Sequence, residues 1–302
     1  MENIGNKLTQ ILAPERVKAE EPMSRHTTFR VGGPADYFVE PETAEELRSV
    51  LQLCKEEGIP FYILGNGSNL LVGDRGYRGV MVSLGRSWSQ IVVEGSILRA
   101  GAGALLSAAA RQALNHALTG LEFAAGIPGT VGGAVVMNAG AYGSEMCCVL
   151  TSATVLTEDG TVRTLPLSEL ELGYRTSCIL RNGYVVLEAE MKLEPGDESA
   201  IRARMEELAG QRRSKQPLEF PSAGSTFKRP QGYFAGKLIQ DAGLRGFSVG
   251  GAQVSEKHCG FVINRGDATA ADILNLCREV QARVKAQSGV NLEMEVKLLG
   301  EF

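Results

Sequence analysis

The chain has 302 residues, of which 44% are hydrophobic and 22% charged, and 31 basic against 35 acidic residues leave a net charge of -4. This composition is ordinary for a folded protein of two or three domains and excludes a disordered chain. The balanced charge, with no long block of one sign, argues against nucleic acid or a membrane surface as a partner. We therefore expect a small-molecule ligand and a monomer.

The N-terminal residues MENIGNKLTQ lack the basic start and apolar core of a signal peptide. No apolar run approaches the roughly 18 residues that a membrane helix needs, so we expect a cytoplasmic protein. The six cysteines form no C-x-x-C pair, and two of them are adjacent. Because this spacing suits neither a metal nor a disulfide framework, we expect reduced thiols and no metal site.

The first predicted elements form a βαβ unit. Residues 43–46, TAEE, have capping-box spacing, and apolar residues follow at i, i+3, i+4 and i+7, which predicts a helix over 43–57. Strands are predicted at 35–39 and 61–64. The loop 65–69 then lies at the carboxyl end of the second strand, where open α/β sheets bind ligands.

The middle of the chain predicts mixed helix and antiparallel sheet. Short strands are expected at 79–82 and 91–93, and an alanine-rich helix at 104–118. The dipeptides Asp159-Gly160 and Asn182-Gly183 each separate two strand-like runs, which indicates two hairpins.

The last third predicts two helices and a strand. A charged helix is expected at 199–214, and a helix with one apolar face at 269–287. A strand over 292–299 should end the chain.

Two glycine-rich segments are candidates for a phosphate site. Residues 65–69, GNGSN, match neither the Rossmann fingerprint nor a Walker A loop, and taken alone they fit an anion-binding loop or an ordinary tight turn. Residues 126–143 hold many glycines and no charge. Such a segment suits a dry groove against a flat ring and a pyrophosphate, although close backbone packing in a core would need the same residues.

Five segments carry a resemblance that spans about residues 25–300. They are GNGSNLLV at 65–72, GIPGTVGGAVVMNAGAYG at 126–143, GYRTS at 173–177, AGSTFKRP at 223–230 and Glu295. In this order they resemble the UDP-N-acetylenolpyruvoylglucosamine reductase family, in its shorter form.

The resemblance implies an α+β fold: a two-subdomain FAD-binding fold of the vanillyl-alcohol-oxidase (PCMH) type, followed by an α/β substrate-binding domain. The expected boundaries are 1–79 and 80–197 for the two subdomains and 198–302 for the last domain. It also implies that FAD is bound noncovalently by the two glycine segments. The cofactor-binding residues so implied are Gly65, Asn66, Gly67, Ser68, Asn69, Gly126, Ile127, Pro128, Gly129, Thr130, Gly132, Gly133, Ala134, Asn138, Gly140 and Ala141.

The implied reaction belongs to peptidoglycan precursor synthesis. NADPH reduces the flavin, and the hydride then passes to C3 of UDP-N-acetylglucosamine enolpyruvate, which becomes UDP-N-acetylmuramate. Negative charge develops at C2 and its carboxylate. The enzyme therefore needs a cation, a hydrogen-bond donor and an acid at this centre.

The resemblance assigns these three roles to Arg175, Glu295 and Ser225. Arg175 would bind the carboxylate through two parallel hydrogen bonds. Glu295, protonated, would donate to the developing enolate, and Ser225 would protonate C2, with Lys215 or Lys228 as candidates to stabilise the resulting alkoxide.

Neighbouring residues compete for two of these roles. Glu293 precedes Glu295 by two positions and Ser222 precedes Ser225 by three, and only the family register selects one of each pair.

Three basic residues, Arg212, Lys215 and Arg229, are the expected substrate-binding residues. Arg212 and Lys215 resemble the family's basic stretch at the UDP diphosphate, but cations at a helix C-terminus also stabilise its dipole. Arg229 stands where longer family members carry an asparagine.

Two other functions fit parts of the pattern. An FAD-dependent alcohol or phenol oxidase or dehydrogenase would share the fold, but it would need a base in place of a serine acid. A regulatory module that binds a nucleotide without turnover would hold no flavin.

Overall fold

The computed structural model describes residues 2–302. Its backbone divides into two compact units that each draw on separate parts of the chain. Among the described residues, unit 1 comprises 2–18, 38–66 and 80–212, and unit 2 comprises 19–37, 67–79 and 213–302. The three-part division into 1–79, 80–197 and 198–302 stays a prediction.

Residues 2–302 form nine α-helices and eighteen strands. The helices are α1 (Glu2–Ile11), α2 (Ala44–Glu56), α3 (Leu106–Asn115), α4 (Val131–Val136), α5 (Leu167–Leu170), α6 (Cys178–Asn182), α7 (Glu198–Lys215), α8 (Ala235–Asp241) and α9 (Ala270–Ser288). The strands are β1 (Val17–Pro22), β2 (Pro34–Val39), β3 (Phe61–Leu64), β4 (Leu70–Val72), β5 (Tyr77–Ser83), β6 (Ile91–Glu94), β7 (Ile97–Gly101), β8 (Leu118–Thr119), β9 (Gly140–Ala141), β10 (Ser144–Glu145), β11 (Leu150–Leu156), β12 (Val162–Pro166), β13 (Val185–Lys192), β14 (Glu194–Pro195), β15 (Ser248–Val249), β16 (Ala252–Val254), β17 (Val262–Asn264) and β18 (Lys297–Leu299). This mixture of helices and largely antiparallel sheets confirms the α+β class.

Helix α2 begins as the sequence predicts. Thr43 is its N-cap, and the Thr43 side chain accepts a hydrogen bond from the Glu46 amide. Strand β3 follows α2 and lies parallel to β5, with Phe61 opposite Val80, in a sheet of order β1-β2-β5-β3.

A five-stranded antiparallel sheet dominates unit 1. Its strand order is β12-β11-β13-β7-β6, and the Asp159-Gly160 turn joins β11 to β12 as predicted. Helix α4 packs against β13 and β7. The residues of α4 belong to the 126–143 segment, so the sheet supports that segment directly.

Helix α9 is the centre of the hydrophobic core of unit 2. Its apolar face, including Ile273, Leu276 and Val280, is fully buried with residues from β16 and β17. A capping box formed by Thr269 and Asp272 starts the helix. Parallel pairing of β18 with β4, Lys297 opposite Leu70, brings the end of the chain back to residues 70–72.

Two predicted elements are wrong. Residues 178–182 form α6 and not a hairpin strand, because Ser177 caps the helix start and Gly183, with a φ of +64°, ends it. The last strand contains only 297–299, and residues 292–296 contribute a single bridge between Met294 and Phe227.

Candidate active site

The two glycine segments meet in unit 1. Asn66 Nδ2 donates a hydrogen bond to the Pro128 carbonyl at 2.8 Å. A Cβ at Gly65 would lie 2.7 Å from Thr130 Oγ1, so glycine is needed for this close approach. This contact is compatible with the prediction that both segments line one site.

Backbone hydrogen bonds fix the 126–143 segment. The Val131 amide donates to the Ala104 carbonyl at 2.8 Å, and the Gly132 amide to Ala102 at 2.9 Å. Gly126, Pro128 and Gly133 remain exposed. The result is an uncharged surface, largely of backbone, that a flat anionic ligand could approach.

The second half of the 65–69 loop is held in unit 2. Gly67 has a φ of +59°, and a Cβ there would lie 2.0 Å from the His26 carbonyl oxygen. Asn69 Nδ2 donates to the Glu295 carbonyl at 3.2 Å, and the Lys297 amide donates to the Asn69 carbonyl at 3.0 Å. The end of the loop is thus bonded to the stretch that carries the predicted catalytic glutamate.

Unit 2 also brings Ser225 and Glu295 together. Phe227 and Met294 form an isolated antiparallel bridge, and the Glu295 amide donates to the Thr226 carbonyl at 2.9 Å. Ser225 directly precedes Thr226 and is exposed, while Glu295 is half-buried. The backbone segments that carry Ser225 and Glu295, distant in sequence, are therefore paired next to each other.

The competing glutamate has a different environment. The Glu293 side chain is 72% exposed and forms an ion pair with Lys228. This exposed pair leaves the ammonium with further donors, so the role of Lys228 toward a Ser225 alkoxide stays a prediction. Lys215, the other candidate, is exposed.

Arg175 lies at the tip of a two-residue turn in unit 1. The backbones of Gly173 and Thr176 exchange hydrogen bonds of 3.1 and 3.3 Å, and Arg175 has a φ of +56°. The Arg175 guanidinium lies 5.2 Å from the centroid of the Tyr174 ring. Arg175 is therefore in the left-handed region, where the backbone of a residue with a Cβ has a higher free energy than in its usual conformations.

Arg212 lies beside the 126–143 segment. A Cβ at Gly126 would be 3.1 Å from Arg212 Cδ and 3.2 Å from Nη1. Burial lowers the pKa of the Arg212 guanidinium, and the nearby Tyr142 phenol opposes this shift. No salt bridge within residues 2–302 pairs Arg212 with an acid, and a half-buried cation of this kind suits an anionic ligand.

Arg229 contacts an exposed aromatic ring. Its guanidinium lies 4.0 Å from the centroid of Phe234, which is 61% exposed. The contact is a cation–π interaction on a ring that is largely exposed.

Two polar residues contribute contacts that the sequence did not reveal. Ser177 Oγ donates to the Val136 carbonyl at 2.7 Å. Asn138 Nδ2 donates to the Gly173 carbonyl at 3.4 Å, and Asn138 Oδ1 accepts from the Cys147 amide at 3.0 Å. The spacing from Ser177 to Leu180 indicates an N-cap, but no local pattern reveals the bond to Val136.

Across residues 2–302, no cluster of three or more His, Cys, Asp or Glu side chains could hold a metal ion. The six cysteines are free thiols, four of them buried. No helix in the described part of the chain is long and apolar enough to cross a bilayer.

Comparison with known proteins decides the family. Residues 216–299 match the C-terminal domain of UDP-N-acetylenolpyruvoylglucosamine reductase, and residues 35–166 match the FAD binding domain family. UDP-N-acetylenolpyruvoylglucosamine reductase of Agathobacter rectalis is 55% identical over 295 residues, which cover 94% of each chain. The chain belongs to the UDP-N-acetylenolpyruvoylglucosamine reductase family. The enzyme of the same name from Clostridioides difficile is 51% identical over 99% of both chains.

Solved structures confirm the fold of this reductase family member. The crystal structure of UDP-N-acetylenolpyruvylglucosamine reductase from Thermus caldophilus superposes with a TM-score of 0.82 at 37% identity, over 94% of this chain and 99% of the other. Phl p 4, a grass pollen allergen with glucose dehydrogenase activity, is similar at a TM-score of 0.51 and 13% identity, over 65% of this chain and 44% of the other. The second likeness shows the fold alone.

Proposed function

We propose that this reductase family member converts UDP-N-acetylglucosamine enolpyruvate to UDP-N-acetylmuramate, with NADPH as reductant and noncovalent FAD as cofactor. The observation that carries the proposal is the backbone pairing of the two segments, in which Thr226, the residue after Ser225, is bonded to Glu295. It lies within the residues that match the family's C-terminal domain. The reduction of an enolpyruvyl ether requires an acid and a hydrogen-bond donor, the roles proposed for Ser225 and Glu295.

The residues of the glycine segments fit FAD. Gly65, Gly126 and Gly133 are exposed and carry no side chain, so a flat anionic ligand could approach the backbone at these positions. Arg212, predicted as a substrate-binding residue, supplies a cation beside Gly126, where it could also bind an anionic group of the cofactor. When bound, FAD supplies hydride transfer between NADPH and the enolpyruvyl group.

Three side chains of the protein are proposed to bind the substrate carboxylate, stabilise the enolate and deliver the proton. Arg175 pairs with the substrate carboxylate through its guanidinium, and Glu295, in its protonated form, donates a hydrogen bond to the developing enolate oxygen. Ser225 Oγ delivers a proton to C2. Its exposed position at the bridge leaves the hydroxyl accessible to a substrate carbon.

Lys215 and Arg229 are proposed to hold the substrate diphosphate. Both are exposed and lie ten and four residues from Ser225 along the chain. A diphosphate carries the charge that these two cations attract. Replacing either residue should therefore weaken substrate binding more than it slows the chemical step.

Anaerobic stopped-flow spectroscopy tests the proposal. NADPH should bleach the flavin absorbance of the purified protein, and UDP-N-acetylglucosamine enolpyruvate should restore it. Ser225→Ala should leave the bleaching intact and slow the recovery about 10²- to 10⁴-fold, the range typical of a general acid.

Ser222→Ala is the matched control, since it removes a hydroxyl from the same loop and should leave both phases unchanged. Equal losses in both phases for Ser225→Ala would contradict the role of Ser225 as proton donor. Recovery with oxygen but not with the enolpyruvyl sugar would favour an oxidase.

A further inference from the structure

The turn that carries Arg175 depends on neighbouring contacts for its shape. Two backbone hydrogen bonds between Gly173 and Thr176 close it, and Arg175 at its tip has a φ of +56°. A residue with a Cβ keeps such a conformation only where the surrounding structure holds it there. The contacts at the two ends of the turn therefore decide where the guanidinium lies.

Two buried side chains attach both ends of this turn to residues 136–138 of the 126–143 segment. Ser177 follows the turn and donates from Oγ to the Val136 carbonyl at 2.7 Å. Asn138 donates from Nδ2 to the carbonyl of Gly173, where the turn begins, at 3.4 Å. Asn138 is itself held by the Cys147 amide, which donates to its Oδ1 at 3.0 Å.

We propose that Ser177 and Asn138 are positioning residues for Arg175. They set the arginine turn on the segment that is proposed to hold the cofactor, so that one element fixes the place of both the flavin and the substrate carboxylate. Ser177 is 0% exposed and Asn138 1%, so both act through the turn and touch no substrate. The identity of the carboxylate rests on the proposed function.

Ser177 also caps α6, and this second role needs a control. Its Oγ accepts from the Leu180 amide at 3.2 Å. Thr43 caps α2 in the same unit in the same way, accepting from the Glu46 amide at 3.1 Å. Thr43→Ala thus removes a helix cap of the same geometry at a site with no bond to the 126–143 segment.

Steady-state kinetics of the FAD-loaded protein tests the proposal. Ser177→Ala should raise the KM for UDP-N-acetylglucosamine enolpyruvate about five- to tenfold, the effect of one lost hydrogen bond, with a smaller change in kcat. Ser177→Thr, which keeps a hydroxyl, should restore the KM, and Thr43→Ala should leave it unchanged. A KM for Ser177→Ala no higher than that of Thr43→Ala would overturn the proposal.

Hydrogen–deuterium exchange gives a readout that needs no substrate. The Gly173 and Thr176 amides should exchange about five- to tenfold faster in Ser177→Ala. Asn138→Asp keeps the acceptor for Cys147 and loses the donor to Gly173, so it should speed the same amides if Ser177→Ala does not fold. Unchanged exchange in both variants contradicts the positioning role, whereas a wild-type protein that fails to reduce the sugar contradicts only the proposed function.

Discussion

At the scale of single residues, Gly67 has a backbone conformation that disfavours a side chain, and neighbouring atoms leave no space for one. Its φ is +59°, and a Cβ would lie 2.0 Å from the His26 carbonyl oxygen. A contact this short forces the backbone at His26 to move. Gly67→Ala should therefore lower the free energy of unfolding by more than the conformational cost of about 1–2 kcal/mol and reduce the flavin bound per protein, as measured by urea unfolding and absorbance.

The substitution Gly95→Ala separates the conformational cost of a Cβ from the cost of its collision with His26. Gly95 has a φ of +60° with nothing within 4 Å of the position of a Cβ, so alanine there meets only the conformational cost. Flavin content should stay normal. Equal destabilisation by the two substitutions would mean that the His26 carbonyl can move away from the new Cβ without a further loss of stability.

Glu46 makes part of the stability depend on pH. Two hydrogen bonds from Arg16, of 2.6 and 2.8 Å, are the main cause that lowers the pKa of Glu46 from 4.5 to about 2, against the opposing effect of burial. A lowered pKa in the folded state stabilises the protein above pH 4.5, and this contribution is lost as the pH falls toward 2. Glu46→Gln should cost about 2–3 kcal/mol at pH 7, and urea unfolding between pH 7 and 3 should show the difference from wild type shrinking.

The neighbouring Glu45 provides the comparison. Its side chain is 69% exposed and pairs with Arg48 on the helix surface. Glu45→Gln should change the free energy of unfolding by only about 0.5 kcal/mol. A pH-independent effect of Glu46→Gln would show that the Arg16 pair contributes through packing and not through charge.

At the scale of elements, Asp74 connects a loop to the start of α9. Its two carboxylate oxygens accept from the Ala270 and Ala271 amides at 2.7 and 2.8 Å, two of the groups that a helix N-terminus leaves unpaired. Asp74→Ala should lower the free energy of unfolding by about 1–2 kcal/mol, measured by urea unfolding.

Asp241→Ala is the control for Asp74. Asp241 is exposed and pairs with Lys237 within α8, so its loss should cost about 0.2–0.5 kcal/mol. If both substitutions cost the same, the charge at the helix start adds nothing beyond a surface ion pair.

Turn chemistry at this scale was predictable only in part. Asp159-Gly160 forms a hairpin turn because strand-forming runs flank it on both sides. In Asn182-Gly183 the same kind of dipeptide ends α6, because a glycine with positive φ serves a helix C-cap as well as a hairpin. The deciding feature, capping by Ser177, lies five residues earlier.

At the scale of the whole molecule, periodicity and capping predicted α2 and α9 to within one or two residues, whereas the site residues taken from the family motifs stay predictions. Local pattern could not predict that Ser177 bonds to Val136, nor that β18 pairs with β4 across more than 220 residues of chain. Such contacts depend on tertiary packing, which leaves no period in the sequence. Tertiary packing likewise determines that Glu293 pairs with Lys228 while Glu295 lies at the bridge.

The single bridge between Phe227 and Met294 makes the length of chain after α9 critical. Successive residues of an extended stretch point to opposite sides, and the backbone bonds from Lys228 to Glu293 and from Glu295 to Thr226 hold this stretch in one register. If the register shifted with the sequence, inserting one residue between Gly289 and Glu293 would put Met294 in the place of Glu295, and deleting one would put Val296 there. The spacing from the helix end to Glu295 therefore decides which side chain occupies the place proposed for the catalytic acid.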